Sequence, residues 1–228
     1  MTDSAAKAPM PVAFSDLRIA AYCPRKLYYR RREPDREPPE SVAERRDLAT
    51  CYPDLLAADD ATLRELPIDE PPPRYRRTLE RARDRLDCWE DLVDPTARNV
   101  YLTGRECHGI AHKVLGDPPR PSIVSPGDPP DAGVWKPHSV QAVAAAKALA
   151  WERQRPVESA VVEYPTHGVV RTIDLTTRRK AAYREALRSA ASLDGPPSRI
   201  ENDAKCEPCE YASECGVRSR SLSSLLGD

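Results

Sequence analysis

Three cysteines near the end of the chain, Cys206, Cys209 and Cys215, stand as C-x2-C-x5-C in the segment KCEPCEYASEC. Thiolates this close on a tight turn can face one metal centre, and a third from the next turn can join them. A closed site needs a fourth ligand, and the chain has no second C-x2-C pair, which argues against a zinc ribbon with its symmetric knuckles. The best remote candidate is Cys23, which is followed by a proline as cluster cysteines often are. Cys51, Cys88 and Cys107 are weaker candidates, and Cys88, beside an apolar stripe, reads as a small buried hydrophobe. Ligands from both ends of the chain would tie the domain's termini together and make metal binding part of folding. On spacing alone, an iron–sulfur cluster and a zinc ion are both open.

Composition bounds what surrounds these thiols. The 228 residues allow one large domain or two small ones, yet only 40% are apolar, 31% are charged, and 24 prolines stand against a single phenylalanine. No run approaches the roughly 20 apolar residues of a membrane span. Residues 1–12 hold one lysine and no apolar stretch of leader length. The expectation is a cytoplasmic protein with no membrane partner, its cysteines thiols or metal ligands rather than disulfides. The 35 basic and 36 acidic residues nearly cancel, but the arginines cluster, notably Arg25, Lys26 and Arg30 in one stretch and Arg77 and Arg81 in another. Such stripes can hold a phosphate backbone, or can simply be solvated helical faces.

The elements that must position these residues follow from periodicity. Residues 1–13 read as disordered. Ser15-Asp16 should cap a short helix running to Cys23-Pro24, and residues 25–32 a second one. A weak helical stretch covers 41–66, and a proline linker covers 67–73. Tyr75, Leu79, Ala82, Leu86, Trp89 and Val93 recur at steps of four and three, one stripe of a helix that Pro95 ends. A further helix is expected over 104–114, irregular chain over 116–131, a short strand over 132–136 and a helix over 139–151. Residues 159–164 and 168–175 are rich in β-branched side chains around the turn 165–167, a hairpin. Thr176 or Thr177 then caps a last helix that Gly195 stops. This divides the chain into 1–13, a helical N-terminal region 14–73, an α/β core 74–195 and a cysteine segment with tail, 196–228.

AYCPRKLYY around Cys23, GRECH ending at His108, Lys136 followed by Gln141 at the start of a helix, and the final C-x2-C-x5-C occur in that order. This resembles the CRISPR-associated RecB-like exonuclease family, the fourth of the Cas proteins, within the PD-(D/E)XK nuclease superfamily. The match runs from Ser15 to Val217, and the cysteine segments are its specific part. The resemblance implies a nuclease-like α/β core, a short mixed sheet flanked by helices, and a structural 4Fe-4S cluster on Cys23, Cys206, Cys209 and Cys215. It also implies action on single-stranded DNA ends with manganese or magnesium, in spacer acquisition beside CRISPR integrase proteins.

Phosphodiester hydrolysis of that kind needs a divalent ion held by carboxylates. The superfamily supplies an Asp, then a Glu on the neighbouring strand with a Lys two residues on, because alternate strand residues share a face. Taken onto this chain, His108 fits an upstream histidine ligand, Lys136 the lysine and Gln141 its support. The Glu position holds Val134, and the Asp candidates, Asp128 and Asp131, lie in the proline-rich SPGDPPDAG. Glu163 is a conceivable displaced carboxylate, whereas His112, His138 and His167 show no ligand spacing. Two classes follow: a metal-dependent DNA exonuclease, or a catalytically inactive iron–sulfur protein that binds DNA or serves as a scaffold.

Overall fold

In a computed structural model, residues 11–33 and 39–216 are described. Strand β1 (Val12–Ala13) leads into helices α1 (Phe14–Tyr22) and α2 (Pro24–Arg30). Helices α3 (Glu40–Asp47), α4 (Tyr52–Ala57), α5 (Asp60–Glu65), α6 (Pro72–Arg85) and α7 (Trp89–Val93) follow, with a 3-10 turn, Leu48–Thr50, between α3 and α4. Strands β2 (Ala97–Thr103), β3 (Cys107–Leu115) and β4 (Arg120–Val124) precede the long helix α8 (Lys136–Arg153). Strands β5 (Ser159–Tyr164) and β6 (Val169–Asp174), helix α9 (Thr177–Ala191) and the short α10 (Asp203–Cys206) complete the order.

The strands form one mixed six-stranded sheet in the order β1-β3-β4-β5-β6, with β2 also paired to β3. β2 and β4 each run antiparallel to β3, α8 carries the chain across to β5, parallel to β4, and β6 returns as a hairpin. Alternation along β5 shows why both faces are covered: Ala160, Val162 and Tyr164 point to one side, and Val161 and Glu163 to the other, all fully buried. On the first side, α1, α8 and α9 pack through Leu17, Val140, Leu149, Tyr183 and Ala186. On the second, α4 to α7 pack through Tyr52, Leu55, Leu63, Tyr75, Leu79 and Leu92. α8 lies buried on all sides around Ala142–Ala146, where small side chains let neighbours approach its backbone.

Several expectations are corrected. Residues 104–114 form no helix; most of them are β3, the strand shared by β1, β2 and β4. Gly109 shows the reason: its φ is +150°, and a Cβ there would lie 2.7 Å from the Phe14 ring, so this is backbone pressed against α1. Residues 116–131 are not wholly irregular, since β4 tolerates Pro121 near its start between β3 and β5. Residues 132–136 are no strand; the chain bends through 131–133, and Lys136 opens α8 with Pro137 in its first turn. The apolar stripe from Tyr75 to Val93 is two helices, broken where Leu86 turns extended and Asp87 receives both guanidinium nitrogens of Arg120. Residues 97–103 add a strand that the sequence reading left unassigned. Val12 and Ala13, read as disordered, pair with Cys107 and His108; residues 1–10 and 217–228 lie outside the described residues.

Candidate metal centre and candidate nucleic-acid pocket

Cys23 sits where α1 ends and α2 begins, in extended conformation, with Pro24 starting the next helix. Cys206 closes α10, and its carbonyl accepts the Cys209 amide at 3.1 Å. A second turn follows, in which the Cys215 amide bonds the Tyr211 carbonyl at 2.9 Å. These local turns aim Cys23, Cys206, Cys209 and Cys215 at one small apolar cavity of about 20 Å³. All seven cysteines are free. Among the described residues no three of these thiols lie within 4.8 Å of one another. The donor set is therefore four thiols converging on a shared space, the set a cysteine-held cluster needs.

Contacts between the chain ends hold that cavity. The Tyr22 hydroxyl donates to the Lys205 carbonyl at 3.1 Å, and the Tyr29 hydroxyl to that of Glu214 at 3.0 Å. Tyr29 also stacks on Tyr211, ring centroids 5.6 Å apart. Arg25 donates to the Pro197 carbonyl at 3.0 Å, Lys26 pairs with Glu210 at 3.0 Å, and Arg30 donates to the Glu33 carbonyl. The first arginine stripe is thus partly used in binding the C-terminal segment. Arg77 and Arg81 are exposed on α6, in the opposite helical layer. The remaining cysteines behave differently: burial pushes the Cys88 and Cys107 thiols up, and Cys107 accepts from the Tyr183 hydroxyl at 3.4 Å.

The proposed catalytic residues do not converge. His108, on β3 rather than on a helix, and Gln141, on α8, line a common cavity of about 510 Å³. Lys136 lines other cavities and pairs with Glu185 at 2.9 Å. Asp128 accepts from His167 Nε2 at 3.0 Å, and Asp131 contributes a carbonyl to Arg171 at 3.2 Å. Asp69, Asp128 and His167 place potential ligand atoms within 4.8 Å of one another. Arg45 already engages Asp69 through two nitrogens, at 2.8 and 3.1 Å, so the group is internally paired. Glu163 is wholly buried on the other side of the sheet's backbone from α8. It accepts from Lys113 Nζ at 2.8 Å and from the Ser122 hydroxyl at 2.5 Å, while Lys113 also donates to the Ala49 carbonyl at 2.7 Å. Tyr52 lies beside this pair without completing a hydrogen bond.

Around His108 and Gln141 the 510 Å³ cavity is lined by Arg46, Arg98, Lys113 and His112, and by Val124. Asp47, at the exposed rim, is the one carboxylate among its described lining residues. His112 Nδ1 accepts the Val124 amide at 3.1 Å, which joins β3 to β4 at the cavity wall. Burial, with Arg46 and Lys113 nearby, pulls its pKa down to about 4. His138 behaves likewise: it bridges Ser125 at 3.3 Å and the Tyr164 hydroxyl at 3.0 Å, and burial with Arg18 nearby lowers it to about 4. Sequence reasoning missed Arg46 and the place of His112 in this cavity. The position of His112, three residues beyond Gly109, carries meaning only once β3 is known to be a strand.

Both histidines fold as neutral groups, and this makes stability fall in acid. In the unfolded chain they take up protons near pH 6.5, but in the folded one only near pH 4. The unfolded state binds more protons between those values. Stability is therefore full above pH 6.5, declines as pH falls toward 4, and levels off below. Each histidine accounts for about 3 kcal/mol of that decline. Urea midpoints measured from about pH 7.5 down to about pH 4.5 should drop, and His112→Gln with His138→Gln should flatten the profile. A wild-type profile as flat as the double variant's would contradict this.

No family model matches the chain, and no curated protein matches it.

Proposed function

We propose that this chain is an iron–sulfur protein with a PD-(D/E)XK-like core that binds single-stranded DNA ends without hydrolysing them. The setting is the one the family resemblance implies, spacer acquisition beside CRISPR integrase proteins. The carrying observation is the composition of the 510 Å³ cavity: His112 of β3 and Val124 of β4, joined by a hydrogen bond, stand in its wall, and basic lining residues outnumber the single rim carboxylate. A magnesium or manganese ion needs several oxygen ligands, commonly carboxylates, and one exposed aspartate does not supply them. Arginine and lysine in a cavity of this size suit a phosphate instead.

The cysteine centre has a separate task in this reading. Cys23, Cys206, Cys209 and Cys215 would hold the cluster, which when bound contributes cross-linking of the chain ends. A single zinc ion, with Zn–S bonds of about 2.3 Å, would require the thiols to draw closer than they stand; a polynuclear cluster spans more. Lys26, Arg25 and Lys205 border the cavity and would offset thiolate charge.

The test uses protein purified without oxygen, end-labelled single-stranded DNA, and parallel incubations with manganese and with chelator. The expected result is full-length DNA retained by the protein under both conditions. Manganese-dependent shortening of the label would overturn the non-hydrolytic reading, and absence of retention would overturn the DNA-binding one.

A further inference from the structure

The lining of the 510 Å³ cavity contains a charge problem that the fold leaves unsolved. Arg46, on α3, has its Nε buried with no hydrogen-bond partner. Burial pulls its pKa down. Among the described residues it makes no ion pair. The other titratable groups lining the cavity beside it give no relief: His112 is neutral, Lys113 is committed to Glu163, and Arg98 adds a further positive charge. Asp47, exposed at the rim, is the nearest balancing carboxylate among the lining residues. A half-buried arginine with no buried acid beside it is costly unless an anion shares it.

Guanidinium groups present planar forks of donors that match phosphate oxygens, and a phosphomonoester carries more charge than a diester. The cavity's mouth adds a second feature. Tyr101 and Ile110 are direct partners across β2 and β3, and both are exposed, at 60% and 49%. The Tyr101 hydroxyl bonds His108 Nδ1 at 2.6 Å, which fixes the ring beside the cavity. An aromatic ring held at the entrance of a cationic pocket is the combination that stacks a base while its phosphate is held below.

We propose that this cavity binds the terminal phosphate of a single-stranded nucleic acid, held by Arg46 without a divalent ion, with Tyr101 under the adjoining base. This rests on the DNA-binding reading above and adds which chemical group is recognised and by what.

The experiment measures affinity by fluorescence anisotropy in chelator, for one oligonucleotide with hydroxyl ends, with a 5′-phosphate and with a 3′-phosphate. The probes are compared on wild type, Arg46→Ala and Tyr101→Ala, with a free mononucleotide and inorganic phosphate as competitors. One phosphorylated probe should bind about tenfold or more tightly than the hydroxyl-ended one, the size of a charge-assisted contact. Arg46→Ala should erase that difference, and Tyr101→Ala should weaken both probes alike. Equal binding of all three probes, with retention intact, would overturn the inference while leaving DNA binding in place. A preference absent in chelator that appears only on adding manganese would overturn its metal independence. Competition by free mononucleotide as effective as the phosphorylated oligonucleotide would overturn the nucleic-acid end as ligand. No binding of any probe would sink the DNA-binding reading itself. Metal content and melting behaviour of Arg46→Ala equal to wild type would exclude unfolding as the cause.

Discussion

Cys206→Ser protein, purified without oxygen, is expected to lack the bound metal and to melt roughly 10 °C lower than wild type. The reason lies in what the cysteine cavity joins. Cys23 stands at the junction of α1 and α2, while the other three thiols come from the last described turns of the chain. Once the centre is lost, the ends are held by contacts such as Tyr22 with Lys205, Lys26 with Glu210 and Tyr29 with Tyr211. Surface pairs of this kind contribute little individually. Loss of a structural metal belongs among the few changes that cost about 4 kcal/mol or more, and in a domain of this size each kcal/mol is worth about 2–4 °C. Cys51→Ser is the matched control, because Cys51 lies outside the cavity and its thiol, among the described residues, bonds the Leu48 and Asp47 carbonyls. Should Cys206→Ser keep its metal and its melting temperature, the ligand assignment is wrong.

Lys113→Ala should destabilise the fold by about 3–5 kcal/mol with metal content unchanged. Lys113 and Glu163 are almost inaccessible, with side-chain exposures of 2% and 0%. Burial lowers the lysine's pKa, and the Glu163 carboxylate opposes that shift. Removing the ammonium leaves a buried carboxylate with the Ser122 hydroxyl as its remaining partner. Adding Glu163→Gln to Lys113→Met should recover much of the loss, since no charge then stays buried. Urea midpoints of the single and double variants decide the matter, and a single variant within about 1 kcal/mol of wild type would show that the pair does not support the fold.

What could be read from the sequence was local. The hairpin of β5 and β6 announced itself through β-branched runs around 165–167, α9 through its Thr176 cap, which accepts the Arg179 amide, and the grouping of Cys206, Cys209 and Cys215 through their spacing. What could not be read depends on partners distant in sequence. β3 contains a glycine and small residues that suit a helix poorly and a strand only when neighbours pair on both sides. β4 hides among prolines. With those strands unplaced, the Glu-x-Lys spacing was laid on Val134 and Lys136, which lie at the start of α8 rather than on neighbouring strands. Once the strands are placed, Val124 and His112 occupy the cavity wall, and the positive charge there comes from Arg46, far upstream on α3.

The family resemblance and the proposed metal-borne tie between the chain ends both lean on the cysteine centre, so its composition is the direct test. Protein isolated under anaerobic conditions should be brown and carry about four iron and four acid-labile sulfide per chain, the content of a cysteine-held cubane. One zinc per chain, or no metal with the fold intact, would contradict the account.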